Sequence, residues 1–368
     1  MDSDLKISDI TAMPKTFNLK YPFKFAVATI SDLPHVLVRI TSDTGVVGYG
    51  ECPVWWDPFG ETQSSTLDAI RKVVPHMIGR DPTAIDELMI VCDAMIYGDY
   101  AAKCGLDMAL FDLAGKIRET PAHQLLNPKE FNPVPCNAVI VLNSVEEARI
   151  QAVQYRESEF TSFKVKVGVD LEREISVLEM LRQVLGDEVR IFVDANQGWK
   201  TAEEALVALE RMRNINLAWV EQPVLAHDFD GLKKVTTEAS IPVMADESLY
   251  SPEDAERLAA SKIADMFNIK LAKSGGLMLG GKIVDIARQH NIPCMLGSMC
   301  ESPLAILAGY QFARAFEMIA TDMALFDLIE SPYPFDLGVK KGQIIVKAGY
   351  PGLGYPPESE VFLAREFD

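Results

Sequence analysis

The chain has 368 residues, 48% of them hydrophobic and 24% charged, and a formal net charge of −18. This is the balance of a soluble globular protein with room for two cores, and so acidic a surface argues against a nucleic-acid or anionic-membrane partner. No stretch approaches the ~18 apolar residues of a spanning helix. The start, "MDSDLK", has neither the basic nor the apolar region of a secretory signal, so a cytoplasmic protein is expected. The six cysteines (52, 92, 104, 136, 294 and 300) form no CxxC pair and read as reduced core thiols.

Residues 5–50 alternate as strands do. "HVLVRITSDTGVVGYGE" predicts a hairpin that turns at Asp43–Gly45. Residues about 18–30 and 51–60 are expected to be loops that close over a site, and Trp55 and Trp56, in the second, either pack the small domain or roof that site. Residues 62–126 carry apolar residues at three- and four-residue steps and predict helices. The stretch Asn127–Pro135 reads as a linker. From there to about residue 330, short apolar runs alternate with amphipathic helices, the order of a parallel α/β barrel. "GGLMLGG" (275–281) has the wrong spacing for a phosphate loop and reads as a helix starting close to the barrel mouth. The last stretch, 341–368, reads as a strand followed by turns that return to the N-terminal part.

Lys166, Asp194, Glu221, Asp246, Lys270, Ser298 and Asp322 recur at intervals of 24 to 28 residues, the length of one strand–helix unit. Most of them end an apolar, β-branched run. A (β/α)8 barrel gathers such residues in one ring at its C-terminal mouth, where its active sites lie. Asp194, Glu221 and Asp246 then stand side by side, and three anions at one mouth repel unless a cation joins them. An all-oxygen set without His or Cys suits Mg²⁺ and disfavours zinc. Asn196, two residues past Asp194, points to the same side and can orient a ligand from behind.

Lys164 and Lys166 alternate on one strand, so both point inward. Each is expected to lower the other's pKa, as a usable base requires. If Lys166 ends the second strand, Lys270 ends the sixth, half a turn away. A substrate between them has a proton donor or acceptor on each face. That geometry suits removal of a proton α to a carboxylate and its return from the other side, with a metal stabilising the enolate. A racemase uses both lysines on the α-carbon. A lyase of the same half-reaction needs only one. A non-catalytic relative is disfavoured, because unused buried charge is expensive. The five histidines share no strand-end register.

"GYGE" (48–51), "AAKCGLDMALFDLAGK" (101–116), "FKVKVG" (163–168), "VDANQGW" (193–199), "VEQPV" (220–224), "MADES" (244–248), "NIKLAKSGG" (268–276), "GSMCES" (297–302) and "PGLG" (351–354) resemble the enolase superfamily, in its muconate-lactonizing-enzyme subgroup. The resemblance implies a modified (β/α)7β barrel over 129–340. It also implies an α+β capping domain formed by 1–128, with 341–368 packed on it. One Mg²⁺ per subunit would sit on Asp194, Glu221 and Asp246. Lys166 and Lys270 would be acid and base, and Lys164 would steady the carboxylate of a small-molecule substrate. Ser298, Glu301, Asp322, Trp55 and Trp56 would face that substrate, and a homo-oligomer is implied. Within the subgroup the chain looks most like the dipeptide epimerases, notably in "LKKVTTEASIPVMADESLY" (232–250). It departs from them twice. Their last strand carries Asp-x-Asp where this chain has Asp322-Met323-Ala324, and an arginine of the L-Ala-D/L-Glu enzymes aligns with Ala28. The lyases of the subgroup, including cycloisomerases, o-succinylbenzoate synthases and dehydratases, are the alternative.

Overall fold

The period-two pattern of the first fifty residues becomes an antiparallel sheet of β1 (Ile7–Phe25), β2 (Ala28–Ser42) and β3 (Val47–Cys52), in that order. The computed structural model describes residues 5–55, 60–141, 144–330, 333–335, 337–346 and 349–368. The turn between β2 and β3 uses the left-handed backbone of Gly45, φ 84°. Residues 18–30, expected to be a loop, belong instead to the first two strands. After a register shift beyond Asn18 they continue as a two-stranded arm, with Phe23 opposite Ile30 and Phe25 opposite Ala28. Pairing satisfies backbone groups that a loop would leave to water.

Four helices follow: α1 (Gln63–Met77), α2 (Ile85–Met95), α3 (Tyr100–Ile117) and α4 (Ala122–Leu126). α3 is buried from Ala101 to Gly115. It lies so close to β3 that a Cβ on Gly50 would stand 2.1 Å from the Gly105 carbonyl oxygen, and one on Gly48 2.2 Å from that of Ala109. The glycines of "GYGE" are therefore the contact surface for α3.

The barrel strands are β4 (Ala138–Ile140), β5 (Ser162–Lys166), β6 (Arg190–Asp194), β7 (Val220–Glu221), β8 (Val243–Ala245), β9 (Met266–Ile269) and β10 (Cys294–Leu296). They are parallel and adjacent in chain order. The connecting helices are α5 (Val145–Glu157), α6 (Leu171–Leu185), α7 (Ala202–Arg211), α8 (Phe229–Glu238), α9 (Pro252–Ala260), α10 (Leu271–Ser274), α11 (Leu277–Gln289) and α12 (Pro303–Ala315). Ser251 caps α9 ahead of Pro252 with a full capping box. The eighth place in the ring is filled by residues 319–322. Leu296 bridges Thr321 in parallel, and the Asn137 N–H donates to the Thr321 carbonyl at 2.7 Å. The result is a (β/α)7β barrel with a cap.

The C-terminal stretch divides its contacts. β11 (Leu337–Lys340) and β12 (Gln343–Val346) form a hairpin beside the chain's entry into the barrel, where the Cys136 N–H donates to the Gly342 carbonyl at 2.8 Å. Residues 349–368, including α13 (Glu360–Ala364), lie on the cap. Asp112, buried in α3, accepts from the Tyr49 N–H at 2.9 Å, the Leu353 N–H at 3.0 Å and the Tyr355 hydroxyl, and pairs with Lys116 at 2.9 Å. One buried carboxylate with four donors joins strand, helix and tail.

Gly50→Ala is expected to destabilise the protein by about 1–3 kcal/mol, because its new methyl meets backbone rather than a flexible side chain. Urea unfolding measures this, and an unchanged midpoint contradicts the close packing of β3 on α3.

Candidate active site

β5 is buried on both faces, so Lys164 and Lys166 enter the barrel mouth on either side of Val165. The Lys164 Nζ lies 2.7 Å from Glu221 Oε1, 2.9 Å from Asp194 Oδ2 and 2.9 Å from Asp322 Oδ2. The Lys166 Nζ donates to Asp194 Oδ2 at 2.7 Å and to Asn196 Oδ1 at 2.8 Å. Lys270, four strands further round the ring, donates to Asp246 Oδ2 at 2.6 Å. Gly297 makes room for it, since a Cβ there would stand 2.9 Å from Lys270 Cε and 2.4 Å from Asn268 Oδ1.

Asp194, Glu221 and Asp246 are fully buried, and one oxygen from each lies within 4.8 Å of the others. Glu221 Oε2 is buried without a hydrogen-bond partner among the described residues. Three converging carboxylates with an unsatisfied oxygen suit a hard divalent cation bound through oxygen.

Burial works to raise all three carboxyls. Lys164 and Lys166 outweigh it at Asp194, and Lys270 and Lys273 at Asp246, holding both below the usual range. At Glu221 burial wins, reinforced by repulsion from Asp194, and the group is pushed well up. The lysines correct an expectation. Burial lowers Lys164, but Asp194, Asp322 and Glu221 push it well above its ordinary value. Lys270 is likewise raised, against burial, by Asp246 and Glu247. Carboxylates in contact act more strongly than a second lysine further away.

Three polar residues of this ring escaped the sequence reading. Lys273, one helical turn beyond Lys270, donates to Asp246 Oδ1 at 2.8 Å, the Asp246 carbonyl at 2.6 Å and the Asn268 carbonyl at 2.8 Å. Burial lowers its pKa. Asn268 shares the inward face of Lys270 on β9, and its Nδ2 donates to Glu221 Oε1 at 2.8 Å. Glu247, next to Asp246, lines the pocket, and burial first, then Asp246 and Asp194, push it up to about 7. Spacing of two and three from a strand-end lysine was the available signal for the first two.

Lys164, Lys166 and Lys270 open onto one pocket, which Asn196, Glu247, Ser298 and Asp322 also line. The arm supplies Phe23 and Phe25 to its wall, and the loop after β3 supplies Trp55. Trp55 is half-buried, packs at 5.7 Å on Phe25, and donates its indole N–H to the Met299 carbonyl at 3.0 Å. It therefore both joins the core and roofs the site. Trp56 lies outside the described residues. Ser298 lines the pocket, accepts from the Cys300 N–H at 3.0 Å and donates to Glu301. Glu301 was expected to face substrate. Its buried carboxylate is instead turned to the Ser298 hydroxyl, and it is not among the pocket-lining residues. Asp322 lines the pocket with Oδ1 held by Asn137 Nδ2 at 2.9 Å and Oδ2 by Lys164.

Glu51 of "GYGE" is a link between cap and barrel. Fully buried, it accepts from the Ser302 N–H at 3.0 Å and the Ser302 hydroxyl, and lies 2.7 Å from His35 Nδ1. With Trp55 it ties the 297–302 loop to the cap at two points.

Residues 7–127 match the family model for the mandelate racemase/muconate lactonizing enzyme N-terminal domain, and residues 147–361 the enolase C-terminal domain-like model. The chain is 34% identical to the L-Ala-D/L-Glu epimerase of Bacillus subtilis, over 95% of this chain and 96% of the relative. It is 32% identical to the N-succinyl-L-Arg/Lys racemase of Bacillus cereus, over 86% of each. The structure of a dipeptide epimerase from Enterococcus faecalis, complexed with Mg and the dipeptide L-Leu-L-Tyr, superposes with a TM-score of 0.90. That comparison has 30% identity and covers 95% of this chain and 99% of the other.

Calorimetric titration with MgCl₂ should show one ion bound per chain. Asp246→Asn should weaken it by more than the roughly 10–100-fold typical of losing a residue behind a ligand. Unaltered affinity removes Asp246 from the cation site.

Proposed function

The chain belongs to the mandelate racemase/muconate lactonizing enzyme family, within the enolase superfamily, and from that premise we propose that it is a Mg²⁺-dependent racemase or epimerase of an amino-acid derivative, a dipeptide or an N-acylamino acid. One observation carries the reading: two lysines half a turn apart in the ring flank three converging carboxylates. The opposed pair favours isomerisation over the lyase alternative, which needs one lysine only.

Asp194, Glu221 and Asp246 would hold the cation, and Mg²⁺ bound there would supply positive charge against the negative charge that builds on a substrate carboxylate. Lys166 and Lys270 divide the proton transfers. The one that enters neutral takes the proton from Cα, and the other, entering as an ammonium, delivers its proton to the opposite face. The electron pair returns to carbon, so the configuration inverts with no atom gained or lost. Reversal exchanges the roles. Lys164 stays cationic among Glu221, Asp194 and Asp322, and pairs with the substrate carboxylate. Asp322 accepts from the substrate's nitrogen end. Phe23, Phe25 and Trp55 close the site against water.

The side group is apolar, aromatic or cationic. The cap presents three aromatic rings to the pocket, and the cationic lining residues among those described are Lys164, Lys166 and Lys270, all from the barrel. Among the described residues, no cap cation therefore awaits a distal carboxylate. Ala28 sits beyond the aromatic wall, opposite Phe25 on the arm. The six buried free cysteines support residence in a reducing compartment such as the cytoplasm.

The test is a panel of dipeptides and N-acylamino acids incubated in D₂O, with deuterium at the α-carbon read by mass spectrometry. Lys166→Ala and Lys270→Ala should each lower racemisation by ~10²–10⁴ or more, and each should retain α-proton exchange with one enantiomer, opposite in the two variants. Full racemisation by either variant refutes the two-lysine scheme. Trp55→Ala should lower kcat/KM for large apolar side groups about tenfold relative to alanine-sized ones. A rank order of substrates that does not move shows that the aromatic wall does not select the side group.

A further inference from the structure

Glu247 has no part in the proton transfers above, yet it stands buried beside them. Among the described residues its hydrogen bond is to Asn196, and its second oxygen, Oε2, has none. A buried carboxylate held by one hydrogen bond adds little to stability and calls for another explanation.

The Asn196 amide lies between Glu247 and Lys166. Its Nδ2 donates to Glu247 Oε1 at 3.0 Å, and its Oδ1 accepts from Lys166 Nζ at 2.8 Å. The Asn196 backbone is anchored separately. Its N–H donates to Asp194 Oδ1 at 2.9 Å, at a φ of 41°, a left-handed conformation that Asn tolerates. Only the side-chain amide is left to be oriented. That group is nearly symmetric in shape and opposite in chemistry at its two ends. Turned over, it would set an NH₂ against the lysine nitrogen, and Lys166 would lose an acceptor. The group on the far side decides which way it faces, and Glu247 Oε1 stands there as an acceptor for Nδ2.

We propose that Glu247 is a positioning residue for Lys166. It fixes the Asn196 amide with the oxygen toward Nζ and so aims the lysine at the face of the α-carbon it serves. The inference rests on the reading of Lys166 as one of two proton-moving lysines. Lys166 is held by two acceptors, and one of them, Asp194, also belongs to the cation site. Asn196 is the acceptor outside the three-carboxylate set. A four-carbon stem needs such an anchor, because misplacement of the reacting atom by about 1 Å can cost a hundredfold in rate. Lys270 is held differently, by Asp246 Oδ2 and the space left by Gly297, and Glu247 reaches it through charge alone. Loss of aim is therefore one-sided, whereas loss of charge is not.

Two variants separate aim from charge. Glu247→Gln keeps an oxygen for Asn196 Nδ2, and Glu247→Leu does not. The readout is α-proton exchange in D₂O, taken separately from the two enantiomers of the panel member that the wild-type enzyme labels fastest. Lys166→Ala identifies the enantiomer that Lys166 serves. Glu247→Leu should be roughly 10–100-fold slower than Glu247→Gln on that enantiomer, the two variants sharing the loss of charge, and the two should agree within about threefold on the other enantiomer. Equal losses in Gln and Leu variants, or an equal gap between them on both enantiomers, overturn the proposal, since they mark an effect of charge or packing. A crystal structure of Glu247→Leu decides the same point without substrate. The Asn196 oxygen should leave Lys166, and a retained contact near 2.8 Å overturns the proposal. If the wild-type enzyme labels no panel member, the proposed function fails, and the crystallographic comparison still decides the role of Glu247.

Discussion

Everything at the barrel mouth depends on one constraint: four buried lysines must share a nearly dry ring with five buried carboxylates. Lys164, Lys166, Lys270 and Lys273 face Asp194, Glu221, Asp246, Glu247 and Asp322. Isolated, any of these charges would be too costly to bury. Together they are one negative charge from balance when all are ionised. A divalent cation turns that excess into one positive charge, and a substrate carboxylate cancels it. The ring is thus matched to its cation and its ligand as a set, and Glu221, pushed well up by burial and by Asp194, is where the imbalance shows.

The same ring explains why Lys164 is not poised as a base by repulsion from a neighbouring lysine. In contact with carboxylates, Lys164 and Lys270 hold their protons tightly. The chemistry therefore requires the carboxylates to be engaged elsewhere. The carboxylates that converge as a cation site are the ones the lysines touch: Asp194 Oδ2 meets Lys166 and Lys164, and Asp246 Oδ2 meets Lys270.

The rest of the pocket wall comes from a different part of the molecule, and the cap joins it to the ring. Glu51 and Trp55 hold opposite ends of the 297–302 loop, which carries Ser298 into the pocket. The arm of β1 and β2 brings Phe23 and Phe25 over the lysines, with Lys166 Nζ 5.9 Å from the Phe25 ring centroid. Chemistry can stay constant in the strands while the cap changes what the pocket admits. This division lets one fold host many reactions, and the site rather than the fold must be read for function.

The barrel and its charged ring were legible in the amino-acid order because a strand–helix repeat of 24 to 28 residues is a local property. Each repeat brings its strand-end residue to the same mouth, so spacing alone placed Lys166, Asp194, Glu221, Asp246 and Lys270. The glycines of "GYGE" were visible as a motif, but their meaning needed α3, some 55 residues later, lying against them. The arm was misread as a loop because pairing of residues 18–30 depends on a partner strand, not on alternation. Lys273, Asn268 and Glu247 were missed for the related reason that their roles are contacts across strands: Lys273 to Asp246, Asn268 to Glu221, Glu247 to Asn196. Lys164 is raised rather than lowered because charge balance in a ring is a sum over neighbours distant in the chain. Periodicity and residue type thus determined the architecture, the cation site and the two lysines. Only tertiary structure decided which oxygen each lysine holds, which aromatic ring covers it and which amide it meets, because those depend on distances between residues that the chain keeps far apart.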